Sequence, residues 1–206
     1  MYIAIAGNIG AGKSSLTRIL AKRYHLKAVY EAVDENPYLE DFYKDMRRYA
    51  FHSQIFFLSK RLEQHLEQVN KISRTIQDRT IYEDAAIFAQ NLYQEGILEA
   101  RDYNSYMQMY KAILAALRPP DLLIYLRADL QTLKHHIALR GRDYEAAIDD
   151  KYLLDLNALY EKWIASYDIS KVFIVDADHL DFVNNAKDLS LLLENLERNG
   201  LSLPVL

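Results

Sequence analysis

The sequence predicts an α/β fold in which helices cover both faces of a central parallel sheet of about five strands. Short apolar runs alternate along the chain with longer segments of helical periodicity, which is typical of such sheets. A glycine-rich loop also joins the first apolar run to the first helical pattern. A chain of 206 residues without a repeat or linker is expected to form a single domain over residues 1–206.

The predicted elements follow in order along the chain. The candidate strands are residues 2–6, 26–30, 72–77, 122–126 and 172–175. One face of a long helix is predicted by Phe51, Ile55, Leu58, Leu62, Leu66 and Val69. Pro119 and Pro120 predict that another helix ends just before the fourth strand. Because ligands of open sheets bind beyond the carboxyl ends of the strands, charged residues at those ends are the candidate site residues.

The segment from Gly7 to Ser14 matches the phosphate-binding pattern G-x-x-x-x-G-K-[ST]. It lies between a predicted strand and a predicted helix, the context in which the pattern has physical meaning. Backbone N–H groups of such a loop surround a polyphosphate, Lys13 reaches the β- and γ-phosphates, and the Ser14 hydroxyl binds Mg²⁺. We therefore expect a nucleoside triphosphate site formed by Gly7, Asn8, Ile9, Gly10, Ala11, Gly12, Lys13, Ser14 and Ser15.

Composition limits the partners of this site. The formal net charge is −4, and no block of Lys or Arg is long enough to follow a nucleic-acid backbone, so we expect no nucleic-acid partner. The absence of cysteine excludes disulfides and thiolate zinc sites. The apolar runs are far shorter than the roughly 20 residues of a membrane span, and a strand begins at the N-terminus. We expect no signal peptide, no membrane partner and a cytoplasmic location.

Charged residues follow three of the predicted strands. Glu31 follows the second, and Asp78 and Arg79 follow the third. A carboxylate here can accept a proton from an attacking hydroxyl or bind Mg²⁺, and position alone does not separate these roles. Asp176 follows the fifth strand in the same way, so spacing does not choose between Asp78 and Asp176 as the metal ligand.

Arg140 and Arg142 flank Gly141 at the predicted end of a helix. Guanidinium groups remain charged and donate in a fork that fits phosphate oxygens, so this segment can close over transferring phosphates. A basic residue followed by glycine is also an ordinary helix C-terminus. The residues alone leave both interpretations open.

Five segments together resemble the deoxyribonucleoside kinases, and most of all the bacterial deoxyadenosine kinases. They are the glycine loop, YEAVDENPYLEDFY at 30–43, HSQIFFLSKR at 52–61, QDRTIYED at 77–84 and LRGRDYE at 139–145. The segments occur in the order and spacing of that family, from about Tyr2 to the last helix. The resemblance implies a P-loop kinase fold with an arginine-containing lid at about residues 139–148.

The resemblance also implies roles in catalysis. Glu31 is expected to deprotonate a 5′-hydroxyl, with Arg79 holding that carboxylate and the hydroxyl in line. Asp78 is preferred to Asp176 as the Mg²⁺ ligand beside Ser14. Charge on the transferring phosphoryl group is expected to be compensated by Lys13, Arg140 and Arg142, and Phe182 is expected beside the adenine of ATP.

The acceptor pocket is implied in the same way. Tyr43 and Glu145 match residues that bind the sugar 3′-hydroxyl, whereas the base pocket contains Gln54, Arg61, Asp84 and Phe88. In that pocket Gln54 contacts the base edge, an ion pair of Arg61 and Asp84 closes the far end, and Phe88 stacks on the base. Val33 is a further candidate substrate-binding residue. Helical spacing agrees, because Gln54, Leu58 and Arg61 share one helix face.

Two residues depart from the family pattern. His136 lies one helical turn before Arg140, where the family often has arginine, so the lid has two permanent positive charges instead of three. Ser53 lies beside Gln54 where several relatives have an aromatic residue, which widens the base pocket.

The expected activity is a Mg²⁺- and ATP-dependent kinase that phosphorylates a deoxynucleoside in deoxynucleotide salvage. Deoxyadenosine is the first expected acceptor, deoxycytidine and deoxyguanosine are alternatives, and the resemblance implies a homodimer. The main alternative is a nucleoside monophosphate kinase of the thymidylate-kinase type, whose anionic acceptor needs arginines, whereas a sugar hydroxyl needs a carboxylate base such as Glu31. A switch NTPase is a further alternative.

Overall fold

A parallel five-stranded sheet forms the centre of the computed structural model, which describes residues 1–145, 148–199 and 201. The strands are β1 Tyr2–Gly7, β2 Lys27–Val29, β3 Thr75–Asp78, β4 Leu122–Arg127 and β5 Lys171–Asp176. Their order in the sheet is β2-β3-β1-β4-β5. The predicted parallel sheet is confirmed. Residues 146–147 of the predicted lid, and residues 200 and 202–206 of the predicted domain, lie outside the described residues.

Helices connect the strands and follow the last one. They are α1 Lys13–Tyr24, α2 Leu39–Lys44, α3 Met46–Gln64, α4 Ile81–Glu83, α5 Gln90–Gln94, α6 Ala100–Leu114, α7 Leu130–Arg140, α8 Asp150–Ala165 and α9 Ala186–Arg198. A π-helical turn at His65–Val69 follows α3, and another at Asp84–Ala89 joins α4 to α5. In the described part of the chain, no helix has the length and apolar character that a membrane crossing requires.

The side chains of β1 show why both faces of the sheet are covered. Side chains alternate between the two faces of a strand. Ile3 and Ile5 pack on one face with residues of α1 and α9, whereas Tyr2, Ala4 and Ala6 pack on the other face with residues of α8. All five side chains are fully buried. An apolar core therefore lies between the sheet and the helices on each face of the sheet. The uninterrupted apolar sequence of β1 indicates this burial on both faces.

Two strands are shorter than predicted because neighbouring helical turns take their first residues. The Leu26 N–H donates to the Ala21 carbonyl at 3.0 Å and closes the end of α1, so β2 begins one residue later. The Ile72 N–H donates to the Gln68 carbonyl at 2.9 Å, and β3 begins only at Thr75.

The long helix predicted from residue 51 to residue 69 changes its geometry at residue 65. A π-helical turn is wider than an α-helical turn, so it rotates the side chains that follow. His65 and Val69 are buried, whereas Leu66 is 38% exposed. Leu66 is therefore exposed, although the apolar pattern predicts one helix face for Leu66 and Val69.

His65 is a buried imidazole with specific contacts. Its Nε2 atom lies 2.9 Å from the carbonyl oxygen of Arg118, and its ring packs edge-on against Tyr2 with 5.5 Å between ring centres. Because a carbonyl only accepts, Nε2 carries the proton of this hydrogen bond. Burial lowers the pKa of His65 to about 4.

We predict that His65 makes the fold sensitive to acid. Its pKa in the unfolded chain is about 6.5, so below that pH the unfolded state binds a proton that the folded state does not. The contribution of His65 is complete above about pH 6.5 and falls by up to about 3 kcal/mol towards about pH 4. The variant His65→Gln keeps an N–H donor without titrating, so its free energy of unfolding should depend less on pH. Urea unfolding at about pH 5 and about pH 7 measures this, and parallel behaviour of both proteins contradicts it.

Candidate active site

A cavity of about 1160 Å³ lies at the carboxyl ends of the strands, between the glycine loop, α3, α7 and the segment that follows β5. Most residues singled out from the sequence line this cavity. They are Ile9, Gly10, Gly12, Lys13, Ser14, Ser15, Glu31, Val33, Tyr43, Gln54, Asp78, Arg79, Asp84, Phe88, Arg140, Arg142, Glu145 and Phe182. Tertiary structure therefore gathers residues that are up to 173 positions apart into one site.

Three residues of the glycine loop lie behind the cavity wall rather than in it. They are Gly7, Asn8 and Ala11. The Asn8 amide donates to the Leu153 carbonyl at 2.9 Å and to Asn157 Oδ1 at 2.7 Å, both on α8. Lys13 Nζ donates to the Asn8 carbonyl at 2.8 Å, across the loop. Contacts with α8 and with Lys13 thus fix the backbone of the loop.

Gly10 of the loop has no room for a side chain, and Gly12 has little. Gly10 has φ +85°, and a Cβ there would lie 2.6 Å from the Leu133 carbonyl oxygen on α7. Gly12 has φ +94°, and a Cβ there would lie 3.2 Å from Cζ of Phe182. His136 Nδ1 approaches the Gly10 carbonyl to 2.7 Å. The loop is therefore packed between α7 and the Phe182 ring.

Ser14 and Asp78 form a pair of side-chain oxygens beside the loop. Ser14 Oγ donates to Asp78 Oδ2 at 2.5 Å, and Oδ1 of the buried Asp78 has no hydrogen-bond partner among the described residues. Burial raises the pKa of Asp78. Asp176, the other candidate, is exposed and accepts from the Asp178 N–H at 3.1 Å.

This donor set fits a magnesium ion. Mg²⁺ is bound through one or two protein oxygens, with phosphate and water oxygens as its other ligands. The described residues contain no cluster of three His, Cys, Asp or Glu side chains that could hold a metal alone. Asp78 and Ser14 suit an ion that is shared with a bound polyphosphate.

Glu31 is held by two arginines. Arg79 Nε donates to its Oε2 at 3.1 Å, and Arg61 Nη2 donates to its Oε1 at 2.6 Å. Burial alone would raise the pKa of Glu31, but the charges of Arg79 and Arg61 outweigh burial and lower it to about 2. The carboxylate is therefore ionised at neutral pH.

Arg61 connects Glu31 with the base pocket. Its Nε donates to the Asp84 carboxylate, so the ion pair of Arg61 and Asp84 predicted from the sequence is present, and both side chains are buried. The contact between Arg61 and Glu31 was not predicted. Phe88 lies with its ring centre 4.4 Å from Cζ of Arg79. One face of the Phe88 ring is therefore in contact with an arginine that also binds Glu31.

Helix α3 forms part of the cavity wall. Gln54 lines the cavity, but its neighbour at the cavity wall is Phe57 rather than Leu58. Leu58 is buried in an apolar cluster with Ile81. Gln54, Leu58 and Arg61 are all buried on α3, as their helical spacing predicts, and Arg61 lies outside the cavity wall. Ser53 is fully buried beside them and accepts from Asn36 Nδ2 at 3.0 Å.

The predicted phosphate-binding arginines pair with a predicted sugar-binding carboxylate. Arg140 donates to Glu145 Oε2 through Nε at 2.9 Å and Nη2 at 2.5 Å, and Arg142 Nη1 donates to Oε1 at 3.4 Å. Gly141 has φ +66° and ends α7 in the left-handed conformation, so the helix-end interpretation also holds. Tyr43 stacks on Tyr144 with 5.9 Å between ring centres.

Comparison of the chain with known protein families identifies its family. The family profile named deoxynucleoside kinase matches residues 3–199. The chain belongs to the deoxynucleoside kinase family. The predicted α/β fold of P-loop kinase type is confirmed, and the monophosphate-kinase and switch-NTPase alternatives no longer apply.

Individual relatives of this deoxynucleoside kinase have different substrate names. The chain is 35% identical over 196 residues to a deoxyadenosine/deoxycytidine kinase of Bacillus subtilis, covering 94% of this chain and 90% of that one. It is 34% identical over 203 residues to a deoxyguanosine kinase of Lactobacillus acidophilus, covering 94% and 88%. A solved structure of deoxyadenosine kinase from M. mycoides with bound dATP matches with a TM-score of 0.83 at 34% identity, covering 96% and 100%.

Two buried residues that contact the site from outside the cavity wall were not predicted from the sequence. Glu83 is fully buried and forms a capping box with Thr80, a pattern that is visible locally as Thr80-x-x-Glu83. Tyr160 on α8 contacts Gly7, Arg79 and Glu83, which are 153, 81 and 77 positions away. No local signal could have indicated Tyr160.

We predict that Gly10→Ala weakens ATP binding by about tenfold or more, because its Cβ would press against the α7 backbone and overpacking costs about 1 to 3 kcal/mol. Gly96→Ala is the matched control, since Gly96 has a similar φ of +66° but no atom within 4 Å of the added Cβ. That variant should lose only a little stability and bind ATP as the wild type does. Isothermal titration calorimetry with ATP measures both, and equal affinity of the two variants would contradict the packing argument.

Proposed function

We propose that this deoxynucleoside kinase transfers the γ-phosphoryl group of Mg²⁺-ATP to the 5′-hydroxyl of deoxyadenosine, as a step of deoxynucleotide salvage. The observation that carries the proposal is the ionised Glu31 carboxylate, held by Arg79 in the cavity that the phosphate loop also lines. We include in it the homodimer that the family resemblance implies and the cytoplasmic location expected from the sequence. Analytical ultracentrifugation tests the homodimer.

Glu31 acts as the acceptor of the hydroxyl proton. Phosphoryl transfer passes through a loose transition state, in which positioning and charge compensation matter more than early deprotonation. A carboxylate whose pKa is about 2 is a weak base in the empty site, yet it can orient the hydroxyl and take the proton as the new O–P bond forms. Arg79 keeps its orientation through the 3.1 Å hydrogen bond.

Phosphate charge is compensated by three cationic side chains that line the cavity, Lys13, Arg140 and Arg142. Lys13 lies in the loop, and burial together with the charge of Arg79 lowers its pKa to about 8. The lid arginines, Arg140 and Arg142, exchange their contacts with Glu145 for contacts with phosphate oxygens. Mg²⁺, bound by Ser14 and Asp78, would supply further positive charge at the β- and γ-phosphates.

An unpaired acceptor in the base pocket supports an amino-bearing base. Oε1 of Gln54 is buried without a hydrogen-bond partner among the described residues. An amide that accepts from an exocyclic amino group and donates to the adjacent ring nitrogen fits adenine or cytosine. Phe88 provides the stacking surface, and Tyr43 with Glu145 binds the 3′-hydroxyl. We rank deoxyadenosine before deoxycytidine and deoxyguanosine, and the relatives' names include all three.

The test of the proposal is acceptor-dependent ADP release. Purified protein with Mg²⁺ and ATP should release ADP only when a deoxynucleoside is added. Initial rates over the four natural deoxynucleosides should be highest with deoxyadenosine. Equal ADP release with and without acceptor would contradict the proposed reaction, and a higher kcat/KM for another deoxynucleoside would contradict the ranking.

We predict that Glu31→Gln lowers kcat by about 10² to 10⁴, the usual contribution of general-base catalysis, and changes the KM for deoxyadenosine little. Glu35→Gln is the matched control, because Glu35 is an exposed carboxylate that pairs with Lys60 at 3.0 Å. Steady-state kinetics of the three proteins measure both constants. A Glu31→Gln variant that keeps more than about a third of the wild-type kcat, with chemistry rate-limiting, would rule out the base.

We predict that Arg61→Met combined with Asp84→Ala favours thymidine over deoxyadenosine. In the proposal the ion pair, whose Asp84 lines the cavity, excludes the thymine methyl, and removing one member alone would strand a buried charge. Loss of the Arg61 contact with Glu31 lowers kcat for every substrate, so the ratio of kcat/KM values is the informative quantity. That ratio of thymidine to deoxyadenosine should rise by about tenfold or more. An unchanged ratio means that the pair does not read the base.

A further inference from the structure

We infer that Tyr160 is a positioning residue of the proposed reaction. Its hydroxyl holds Arg79, and through Arg79 the base Glu31, in a fixed relation to the phosphate loop. This inference rests on the proposed function, because it assigns Tyr160 a part in the transfer of the γ-phosphoryl group. The phosphate loop holds the donor in that reaction, and Glu31 holds the acceptor hydroxyl.

The Tyr160 hydroxyl joins three elements at one point. Its oxygen lies 3.2 Å from Arg79 Nη1, 2.8 Å from the Gly7 carbonyl and 2.9 Å from Glu83 Oε1. A guanidinium only donates, so the hydroxyl oxygen accepts from Arg79 and shares its single proton between the Gly7 carbonyl and Glu83 Oε1. One buried hydroxyl thereby connects the end of β3, the start of the loop and α8.

Glu83 completes the connection. Its Oε1 accepts from the Gly7 N–H at 3.3 Å, and its Oε2 accepts from the Thr80 N–H at 2.8 Å. The N–H and the carbonyl of Gly7 are thus bonded to Glu83 and Tyr160. Thr80 follows Arg79 directly, so the same two side chains hold the backbone on both sides of the site.

Arg79 needs this support because its backbone is strained. It is a non-glycine residue with φ +65°, a conformation that persists only where the surroundings determine it. Its N–H donates to the Ile5 carbonyl at 3.0 Å, and Phe88 and Glu31 contact its guanidinium. Of the three side chains on the guanidinium, Tyr160 is the one that also bonds the phosphate loop.

The Tyr160 ring has a separate, structural role. It is fully buried, stacks on Tyr125 with 5.7 Å between ring centres and meets Trp163 edge-on at 6.3 Å. Tyr160→Phe keeps these contacts and removes only the hydroxyl. The variant therefore separates packing from positioning.

Loss of the hydroxyl should affect the reaction more than binding. In the proposal Glu31 positions the attacking oxygen and the phosphate loop positions the γ-phosphorus. A misplacement of about 1 Å between these two atoms can cost about 10²-fold in rate. Gln54 and Lys13, which bind the acceptor and ATP in the proposal, make no hydrogen bond to Tyr160 among those described. We expect Tyr160→Phe to lower kcat by about tenfold or more, with both KM values within about threefold of wild type.

The pH profile provides a second readout. Arg79 is the charge that lowers the pKa of Glu31 most. A less constrained Arg79 lowers it less, so the acid limb of kcat should move to higher pH in Tyr160→Phe. If the Tyr160 hydroxyl only stabilised the fold, its removal would lower the free energy of unfolding without moving the acid limb of kcat.

Tyr125→Phe is the matched control. The Tyr125 hydroxyl donates to Glu161 Oε1 at 2.9 Å, and its ring stacks on Tyr160. Removing it perturbs the same packed pair of rings without touching Arg79. We expect wild-type kcat within about twofold and an unmoved acid limb. A decrease in kcat of the same size in both Phe variants overturns the inference.

A double-mutant cycle with Arg79→Lys decides whether Tyr160 acts through Arg79. Lysine lacks the nitrogen that donates to Tyr160, so in the Arg79→Lys background the Tyr160→Phe change should alter kcat less than about twofold. Multiplicative effects of the two substitutions overturn the inference. If wild type itself shows no acceptor-dependent ADP release, the proposed function fails and the inference falls with it. An active wild type with an equally active Tyr160→Phe variant overturns the inference alone.

Discussion

A neutral cluster of four charges, three of them buried and Glu31 partly exposed, is the constraint on which the site depends. Glu31 and Asp84 are the carboxylates, and Arg61 and Arg79 are the guanidinium groups that bind them. Buried charges are costly unless each has a partner with good geometry, so none of the four can move independently. The cluster therefore fixes the loop after β2, the end of β3, α3 and the π-helical turn relative to one another.

The helical irregularities and the strained backbone occur where this cluster needs them. Asp84 and Phe88 lie in a π-helical turn, and Arg79 has a left-handed backbone conformation. Such deviations are tolerated only where tertiary contacts support them, and they are frequent at functional sites. Here they bring a carboxylate, an aromatic ring and a guanidinium to one wall of the cavity.

Helix α8 is the scaffold of the phosphate loop. Asn157 bonds Asn8, Tyr160 bonds the Gly7 carbonyl, and the Leu153 carbonyl accepts from the Asn8 amide. Side chains at positions i and i+3 of a helix lie on one face, so one helix surface bonds two successive loop residues. Helix α8 therefore holds the loop through residues that face away from the cavity, while the Lys13 and Ser14 side chains line the cavity.

The sequence by itself determined the sheet, the phosphate loop and the charged residues beyond the strand ends, because these features are encoded in contiguous patterns of periodicity and residue type. Sequence predicted the partnership of Arg61 and Asp84 only through family resemblance, and it did not reveal that Arg61 also binds Glu31. Tertiary structure decided the exposure of Leu66, the pairing of Arg140 with Glu145 and the place of Tyr160. Each of these depends on how elements pack, since a local pattern does not specify which distant partner a charge, a hydroxyl or a helical turn will meet.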